Sequence, residues 1–295
     1  MEKILVTGSR GLVGSRFVEL SRSDHQLLTP GSSLFDLKNI DTIDHFLREY
    51  QPDWVINFAA FTDVDAAEQG IHDPSSPAWK INVGGVQNLT NAFISEKIIH
   101  ISTDMVFSGD LLQPGPFNEN DTTQTDASQL TWYGYTKSQA EKIILERGGT
   151  ILRIIYPVRA VFTPKPDFLR GALHRYQSGT LRPLFTDQQI SIAFIDEMSC
   201  VLNEIIKQDM RGIFHASSDT TTPYDLVKFS LEQLGIVPDL ETALIDDFLE
   251  TQPNPYRYPR YGGLKTAMTE KKLGIRFSTW QGVVEKMIAQ GLSLT

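Results

Sequence analysis

Short β-branched runs alternate with helical patterns through the first half of the chain. Residues 4–6 predict a strand, and apolar residues at three- and four-residue spacing from Leu12 to Leu20 predict the helix after it. The alternation continues to a strand at residues 150–154. Parallel strands need crossover connections of about helical length. This order therefore predicts an α/β fold with a doubly wound, Rossmann-type parallel sheet.

Net charge and hydropathy exclude several classes of partner. The chain has 295 residues and a formal net charge of −9, which argues against non-specific binding to nucleic acid or to an anionic membrane. No apolar run reaches the roughly 18 residues of a membrane span, and the first residues lead into a strand pattern, so we expect a cytoplasmic protein. The single cysteine, Cys200, lies in a helical apolar pattern that predicts a buried thiol.

Three glycines spaced by three, Gly8, Gly11 and Gly14, separate the first strand from the first helix. In dinucleotide-binding loops, such glycines turn the chain, let backbone approach a pyrophosphate and pack helix on strand. A plain strand-to-helix turn is the alternative, because a glycine triplet alone is a weak signal. We expect cofactor contacts along this loop, at Gly8, Ser9, Arg10, Gly11, Leu12 and Val13.

The choice of cofactor depends on the second strand, at residues 27–28. An acidic residue usually follows this strand to bind the ribose 2′-hydroxyl of NAD, and this sequence has no clear counterpart. Arg10 lies in the glycine loop instead, where it could pair with a 2′-phosphate. The sequence therefore favours NADP(H), with NAD(H) as the alternative. A solvated Arg10 with no ligand is the other interpretation.

Tyr133 and Lys137 are four residues apart at the start of a predicted helix, so they share one helix face. An adjacent ammonium lowers a tyrosine pKa by favouring the phenolate. Such a pair can exchange a proton with a carbinol oxygen while a nicotinamide exchanges hydride at carbon. Tyr-x-x-x-Lys alone is common, but this one follows a polar loop at residues 109–131, so it can face the carboxyl edge of the sheet.

The regular alternation weakens after Tyr156-Pro157. We therefore expect a dinucleotide-binding domain in residues 1–155 and a smaller, mainly substrate-binding region in residues 156–295. The sequence between them is neither long nor polar enough for a linker. We expect the two to pack as one rigid body with a cleft between them.

Taken in order, these motifs make the chain similar to the extended short-chain dehydrogenase/reductases. Within that family, it most resembles the dTDP-4-dehydrorhamnose reductase-like group. The resemblance covers nearly the whole chain, most firmly up to Arg153. The segments that carry it are residues 6–14, residues 55–60 with Thr62, Val64, Asp65 and Glu68, residues 82–85, 101–107, 133–137 with Glu141, 152–153, 187–188 and 212–215.

The resemblance implies reduction of a nucleotide-linked 4-keto-6-deoxy sugar at its keto carbon. It implies that Thr103 bonds the reacting oxygen, that Tyr133 donates the proton, and that Lys137 holds the nicotinamide ribose. Further cofactor contacts are implied at Asp36, Leu37, Phe58, Ala59, Ala60, Thr62, Asn82, Ile101, Ser102, Tyr156 and Val158. Substrate contacts are implied at Val64, Asp65, Asp104, Val106, Phe107, Gln188 and Arg260.

Several positions depart from the family pattern. Met105 replaces a usual aromatic residue, and Gln189 replaces a small one, both where the sugar nucleotide is expected. Arg16 replaces a glutamate that some members use for a metal at a dimer contact, so we expect no metal and no dimer of that type; a homodimer built otherwise stays open. The histidines show no metal-ligand spacing, and we expect His100 and His215 only to complete strands.

Two other functions remain open at the level of sequence. A sugar-nucleotide epimerase or dehydratase would share Asp104 and the tyrosine-lysine pair. A non-catalytic, cofactor-binding regulatory subunit, like that of methionine adenosyltransferase, would share the fold, because fold alone does not fix function.

Overall fold

The computed structural model describes residues 1–294, which divide into two compact units. The first unit comprises residues 1–107, 122–153 and 199–214, and the second comprises the remaining described residues. The chain thus leaves the first unit after Arg153, close to the predicted boundary, but residues 199–214 return to it. The assignment of cofactor binding to residues 1–155 and of substrate binding to residues 156–295 stays a prediction, as does a single rigid body.

A six-stranded sheet organises the first unit. Its order is β2-β1-β3-β4-β5-β9, and β1 runs parallel to both β2 and β3, as does β3 to β4. The strands are β1 (Lys3–Thr7), β2 (Gln26–Leu28), β3 (Trp54–Asn57), β4 (Ile98–Thr103), β5 (Thr150–Ile154) and β9 (Gly212–Ala216). The order in which strands are added to the sheet reverses between β1 and β3. Ligands of open α/β sheets bind outside the carboxyl ends of the strands at such a point. The prediction of a Rossmann-type α/β fold is confirmed.

Helices of the first unit flank this sheet, and several of them share one buried core with its strands. They are α1 (Leu12–Ser21), α2 (Ile40–Tyr50), α3 (Val64–Glu68), α4 (Pro77–Trp79), α5 (Gly85–Ala92) and α6 (Trp132–Glu146), with a π-helical stretch at Lys80–Gly84 and 3₁₀ turns at Asp104–Val106 and Ala127–Gln129. Side-chain caps define several starts: Asn39 accepts from the Asp41 amide, and Thr131 from the Gly134 amide. Leu5, Ile43, Val55, Leu89 and Ile144 are among the buried residues of the core.

The second unit has short strands and its own core. Its strands are β6 (Pro157–Val158) with β8 (Ala193–Phe194) and β7 (Leu184–Phe185) with β10 (Thr242–Ala243), both pairs parallel. Its helices are α7 (Phe168–Gln177), α9 (Pro223–Gln233), α10 (Ile245–Leu249), α11 (Ala267–Leu273) and α12 (Trp280–Ala289), with a 3₁₀ turn at Pro255–Arg257. Helix α8 (Ile195–Lys207) begins in this unit and continues in the first.

The prediction for Cys200 is wrong in one respect. Cys200 lies in α8, as its spacing indicates, but on the exposed side. Met198, Val201 and Leu202 fill the core side of that helix and are fully buried. Among residues 1–294, no helix is both long and apolar enough to cross a bilayer.

A buried ion pair ties α6 to β5. Arg153 donates from Nε to Glu141 Oε1 (2.9 Å) and from a terminal nitrogen to Glu141 Oε2 (2.7 Å). The two side chains are 2% and 3% exposed, and the Arg153 guanidinium lies 5.0 Å from the centre of the Phe107 ring. Removing one partner of such a pair leaves a charge buried without its counter-ion.

We therefore expect Glu141→Ala to lower the free energy of unfolding by about 3–5 kcal/mol, measured by denaturant titration. Glu204→Ala is the control, because Glu204 pairs with the mostly exposed Lys207 on α8 and such surface pairs contribute about 0–1 kcal/mol. Equal losses in the two variants would contradict the assignment of Glu141 as a structural anion.

Candidate active site

The glycine loop is closed tightly at the carboxyl end of β1. Gly8 has a φ of +63°, and a Cβ there would lie 2.7 Å from the Ala59 nitrogen. A Cβ at Gly14 would lie 2.5 Å from the Gly8 oxygen, which accepts a hydrogen bond from the Gly11 amide (3.0 Å). Gly11 caps α1 without a side-chain acceptor. The loop therefore needs glycine for both its turn and its packing, and it leads into a helix N-terminus, where anions are stabilised.

A cavity of about 600 Å³ opens beside this loop. Among the predicted cofactor residues, Gly8, Ser9, Arg10, Asp36, Leu37 and Ala59 line it, together with Thr7, Ile81 and residues 30–33. The Arg10 guanidinium lies 3.7 Å from where a Gly31 Cβ would be. The Asp36 carboxylate already has a partner within its own turn, since its Oδ1 accepts a hydrogen bond from the Lys38 amide (3.0 Å). The structure thus brings Arg10 to the turn after β2, as the NADP(H) prediction requires.

Helix α6 starts directly on the turn that follows β4. The Trp132 amide donates to Glu68 Oε1 (2.5 Å), and Thr131 Oγ1 accepts from the Gly134 amide (3.0 Å). A Cβ at Gly134 would overlap the carbonyl oxygen of Met105. This close approach places Tyr133 next to the end of β4, where Thr103 and Asp104 lie.

Lys137, one turn later on α6, is 1% exposed. Its Nζ donates to the Ile101 carbonyl (2.6 Å) and lies 2.8 Å from His100 Nε2. Burial lowers the pKa of Lys137 to about 7, with the Glu141 carboxylate opposing the shift. Burial, with the nearby lysine charge, also lowers the pKa of His100 well below its usual value. The imidazole is therefore neutral, and the amine can change its charge near neutral pH.

The pKa of Tyr133 is raised, not lowered. Burial is the larger cause, and the Asp104 carboxylate adds to it. The predicted lowering by Lys137 is therefore wrong for this structure, since the amine is directed to β4. A phenol with a raised pKa is protonated at neutral pH, which is the form that a general acid needs, but the raised pKa also makes it a weaker acid.

The end of β4 presents two hydroxyl groups. Thr103 Oγ1 donates to Asp104 Oδ1 (3.2 Å) and accepts from the Met105 amide (3.2 Å). Ser102 Oγ is buried and has no hydrogen-bond partner within residues 1–294. A buried, unpaired hydroxyl is costly unless another group satisfies it. A polar group of a bound cofactor would satisfy Ser102, and this contact stays a prediction.

Asn82 is satisfied by the protein itself. Its Oδ1 accepts from the Phe61 amide (2.8 Å), and its Nδ2 donates to the Phe61 carbonyl (3.2 Å) and to Thr136 Oγ1 (2.9 Å). It thus ties the loop after β3 to α6. The other predicted residues of that loop and of α3 are at least partly accessible. Thr62 and Asp65 are exposed, and Phe58, Ala60 and Val64 are half-buried.

Two predicted substrate residues of the first unit have buried side chains. Val106 is 0% exposed, and Phe107 packs under the Arg153 guanidinium. Val158, a predicted cofactor residue of the second unit, is likewise in an apolar core. The side chains of these three residues act in packing, so direct roles in binding remain predictions. Tyr156 has a φ of +37°, and its ring lies 4.5 Å from that of Phe168.

The structure brings Gln188 and Arg260 together in the second unit. Gln188 Nε2 donates to the Pro259 carbonyl (3.0 Å), and the Gln189 amide donates to the Arg260 carbonyl (2.8 Å). Arg260 forms an ion pair with Asp246. Gln189, a departure from the family pattern, also contacts the segment that contains Arg260, because its Nε2 donates to the Gly262 carbonyl (2.8 Å).

Sequence reasoning missed three polar residues behind this site. His100, expected only to complete a strand, contacts Asn57 Nδ2 through its Nδ1 (2.9 Å), and Asn57 Oδ1 accepts from Thr7 Oγ1 (2.5 Å). The available signal was a polar side chain within buried apolar strands. In the part of the chain that the structure describes, no group of His, Cys, Asp or Glu could hold a metal ion.

Comparison with known proteins assigns the family. The family model for the RmlD substrate binding domain matches residues 1–293. The chain belongs to this family. It is 32% identical to a dTDP-4-dehydrorhamnose reductase of Mycobacterium tuberculosis over 80% of this chain and 77% of that protein. It is 26% identical to one of Sinorhizobium fredii over 97% of this chain and 96% of that protein.

Solved structures share the fold. A dTDP-4-dehydrorhamnose reductase of Bacillus anthracis, crystallised in complex with NADP, superposes with a TM-score of 0.81 at 21% identity and covers 99% of this chain and 100% of its own. At this identity, the likeness supports the Rossmann-type fold and leaves the ligands of this chain to its own residues.

The overlap at Gly134 gives a direct test of how α6 is seated. We expect Gly134→Ala to lower the thermal midpoint of unfolding by several degrees, because the new methyl group meets the backbone of Met105 and overpacking costs roughly 1–3 kcal/mol. Gly171→Ala in α7 is the matched control, since its Cβ would meet only the flexible Arg175 side chain at 3.4 Å. An unchanged midpoint for Gly134→Ala would contradict this seating.

Proposed function

We propose that this protein is an NADP(H)-dependent reductase of a nucleotide-linked 4-keto-6-deoxy sugar. The observation that carries the proposal is the meeting of α6 with the end of β4, where Tyr133, Thr103 and the buried Lys137 share one neighbourhood. Curated relatives of this chain are named dTDP-4-dehydrorhamnose reductases, which supports the same substrate class.

Each side chain has a role in this reaction. The nicotinamide cofactor, when bound, supplies the hydride for the keto carbon. Tyr133 then gives its phenolic proton to the carbonyl oxygen as that oxygen gains negative charge. The raised pKa of Tyr133 keeps this proton on the phenol at neutral pH until the hydride is transferred. Thr103 Oγ1, which donates to Asp104 Oδ1 in this structure, would turn its hydrogen to the same oxygen as negative charge develops there. The Lys137 amine, held at β4 by the Ile101 carbonyl and His100, would contact the nicotinamide ribose.

Binding of the cofactor is supported by the cavity beside the glycine loop. The loop would hold the pyrophosphate at the N-terminus of α1, and Arg10 would pair with a 2′-phosphate near Gly31. The Bacillus anthracis reductase in complex with NADP supports this choice. NAD(H) is the alternative. Residues 30–33 lack the carboxylate that usually binds the ribose 2′-hydroxyl of NAD, and only the hydroxyl groups of Ser32 and Ser33 could contact it there.

The alternative functions are disfavoured by specific features. An epimerase or a dehydratase would first oxidise a sugar hydroxyl, whereas the curated relatives of this chain are named for a reduction. A non-catalytic regulatory subunit would not need Thr103, Tyr133 and Lys137 at one strand end. We further propose a cytoplasmic location and keep a homodimer as a prediction, to be measured by light scattering.

Replacement of the tyrosine tests the reductase directly. With NADPH and a panel of nucleotide-linked 4-keto-6-deoxy sugars, we expect turnover, followed by loss of nicotinamide absorbance. Tyr133→Phe should reduce kcat by about 10²–10⁴-fold, because the proton donor is lost.

Tyr135→Phe is its matched control, because Tyr135 lies on the same helix and stacks on Trp132 through its ring. It should keep most of the activity. Cofactor binding with no turnover on any sugar would contradict the proposed function and favour an epimerase or a regulatory subunit.

The role of Arg10 is tested by binding. We expect Arg10→Ala to weaken NADPH binding by roughly 10–100-fold, the loss of a charge-assisted contact, with little effect on NADH. Arg22→Ala, an exposed arginine at the end of α1, is the control. Dissociation constants from titration calorimetry measure both, and equal weakening for NADPH and NADH would remove Arg10 from cofactor selection.

A further inference from the structure

A continuous buried polar chain crosses three strands behind the proposed active site. The strand register pairs Thr7 of β1 with Asn57 of β3, and Asn57 with His100 of β4. Their side chains meet at 2.5 Å and 2.9 Å, and His100 Nε2 meets Lys137 Nζ at 2.8 Å. All four residues are at most 4% exposed. The chain therefore joins the proposed catalytic lysine to the strand end that precedes Gly8.

The direction of each hydrogen bond in this chain is fixed by its neighbour. Thr7 donates to the Asn57 oxygen, and the Asn57 amide nitrogen faces His100 Nδ1, which must then accept. A neutral imidazole carries one hydrogen, so His100 has it on Nε2, facing Lys137. Only a neutral amine has a lone pair to accept it. This arrangement thus belongs to the uncharged form of Lys137.

Protonation of Lys137 reverses every bond. An ammonium has only hydrogens to offer, so His100 Nε2 must accept and Nδ1 must carry the hydrogen. The Asn57 amide must then turn its oxygen to His100 and its nitrogen to Thr7. Thr7 Oγ1, which already accepts from the Ala59 amide (3.2 Å), would then also accept from Asn57 Nδ2. The hydroxyl hydrogen of Thr7 would no longer be bound to Asn57 and could be donated to another group. Thr7 lines the cavity beside the glycine loop.

We propose that His100 is a positioning residue whose tautomer follows the charge of Lys137 and transmits it through Asn57 to the Thr7 hydroxyl at the phosphate loop. Loading of an anionic dinucleotide and the cationic form of the lysine would thereby favour each other. The role of this coupling in reduction rests on the proposed function. The hydrogen bonds themselves do not depend on that function.

Among the described groups around Lys137, His100 is the one whose tautomer can change with the charge of the lysine. On α6, Tyr133 holds its proton, and Glu141 is paired with Arg153 of β5. Asp104, in the turn after β4, accepts from Thr103 and faces Tyr133. Burial keeps the imidazole neutral, so it exchanges tautomers rather than gaining charge.

Nitrogen-15 NMR of histidine-labelled protein measures this directly. As pH falls through the lysine transition near 7, we expect the His100 signals to change from the Nε2–H to the Nδ1–H tautomer without forming an imidazolium. His100→Gln assigns the signals. His215 is an internal control, because its Nδ1 faces the Lys265 carbonyl (2.9 Å) and must stay protonated. One His100 tautomer at all pH values would overturn the proposal.

Kinetics supply the second readout. If the ammonium is the active form, kcat/KM falls as pH rises through the lysine pKa. His100→Leu removes an acceptor of the ammonium, so this limb should move down by about one pH unit. In His100→Gln the amide oxygen can replace Nε2 as the acceptor, so the pH at which kcat/KM falls should return to that of the unmodified protein. His215→Leu should leave that pH unchanged.

An unmoved limb in His100→Leu would contradict the coupling to catalysis. Should that variant fail to fold, the tautomer measurement on the unmodified protein still decides. Lack of turnover in the unmodified protein, with the tautomer exchange intact, would overturn the proposed function instead.

Discussion

The amine of Lys137 is buried between α6 and β4, and the arrangement of the site depends on how it is satisfied there. A buried lysine without partners would cost several kcal/mol, so its bonds to Ile101 and its contact with His100 fix the rotation of α6. Tyr133 is one turn earlier on that face and Glu141 one turn later. The same rotation therefore sets the phenol at the end of β4 and the carboxylate against Arg153.

The sheet topology brings the other half of the site to the same edge. Strands β1 and β3 are parallel neighbours, so the glycine loop after β1 and the loop after β3 lie side by side at the carboxyl edge of the sheet. Their contact is close enough that a Cβ at Gly8 would touch the Ala59 backbone. The polar chain from Thr7 to Lys137 runs directly behind these loops. Cofactor loop and catalytic helix are thus joined by hydrogen bonds as well as by packing.

Much of the fold could be predicted from sequence because its signals are local. Alternating strand and helix patterns predicted the α/β sheet, and glycine spacing predicted a loop that the structure closes with those glycines. The failures depend on tertiary environment. The raised pKa of Tyr133 comes from its burial and from the Asp104 carboxylate. The exposure of Cys200 depends on which face of α8 is covered. The contact between Asn57 and His100 depends on the register of β3 and β4. None of these is a property of neighbours along the chain.

Transfer of deuterium tests most directly whether this edge of the sheet performs a reduction. The protein would be mixed with NADPH carrying deuterium at both C4 positions of the nicotinamide and with a nucleotide-linked 4-keto-6-deoxy sugar, and the product examined by mass spectrometry and proton NMR. A reductase predicts one deuterium on the former keto carbon. A product without deuterium at that carbon, or deuterium found there only when the solvent is D₂O, would contradict direct hydride transfer at this site.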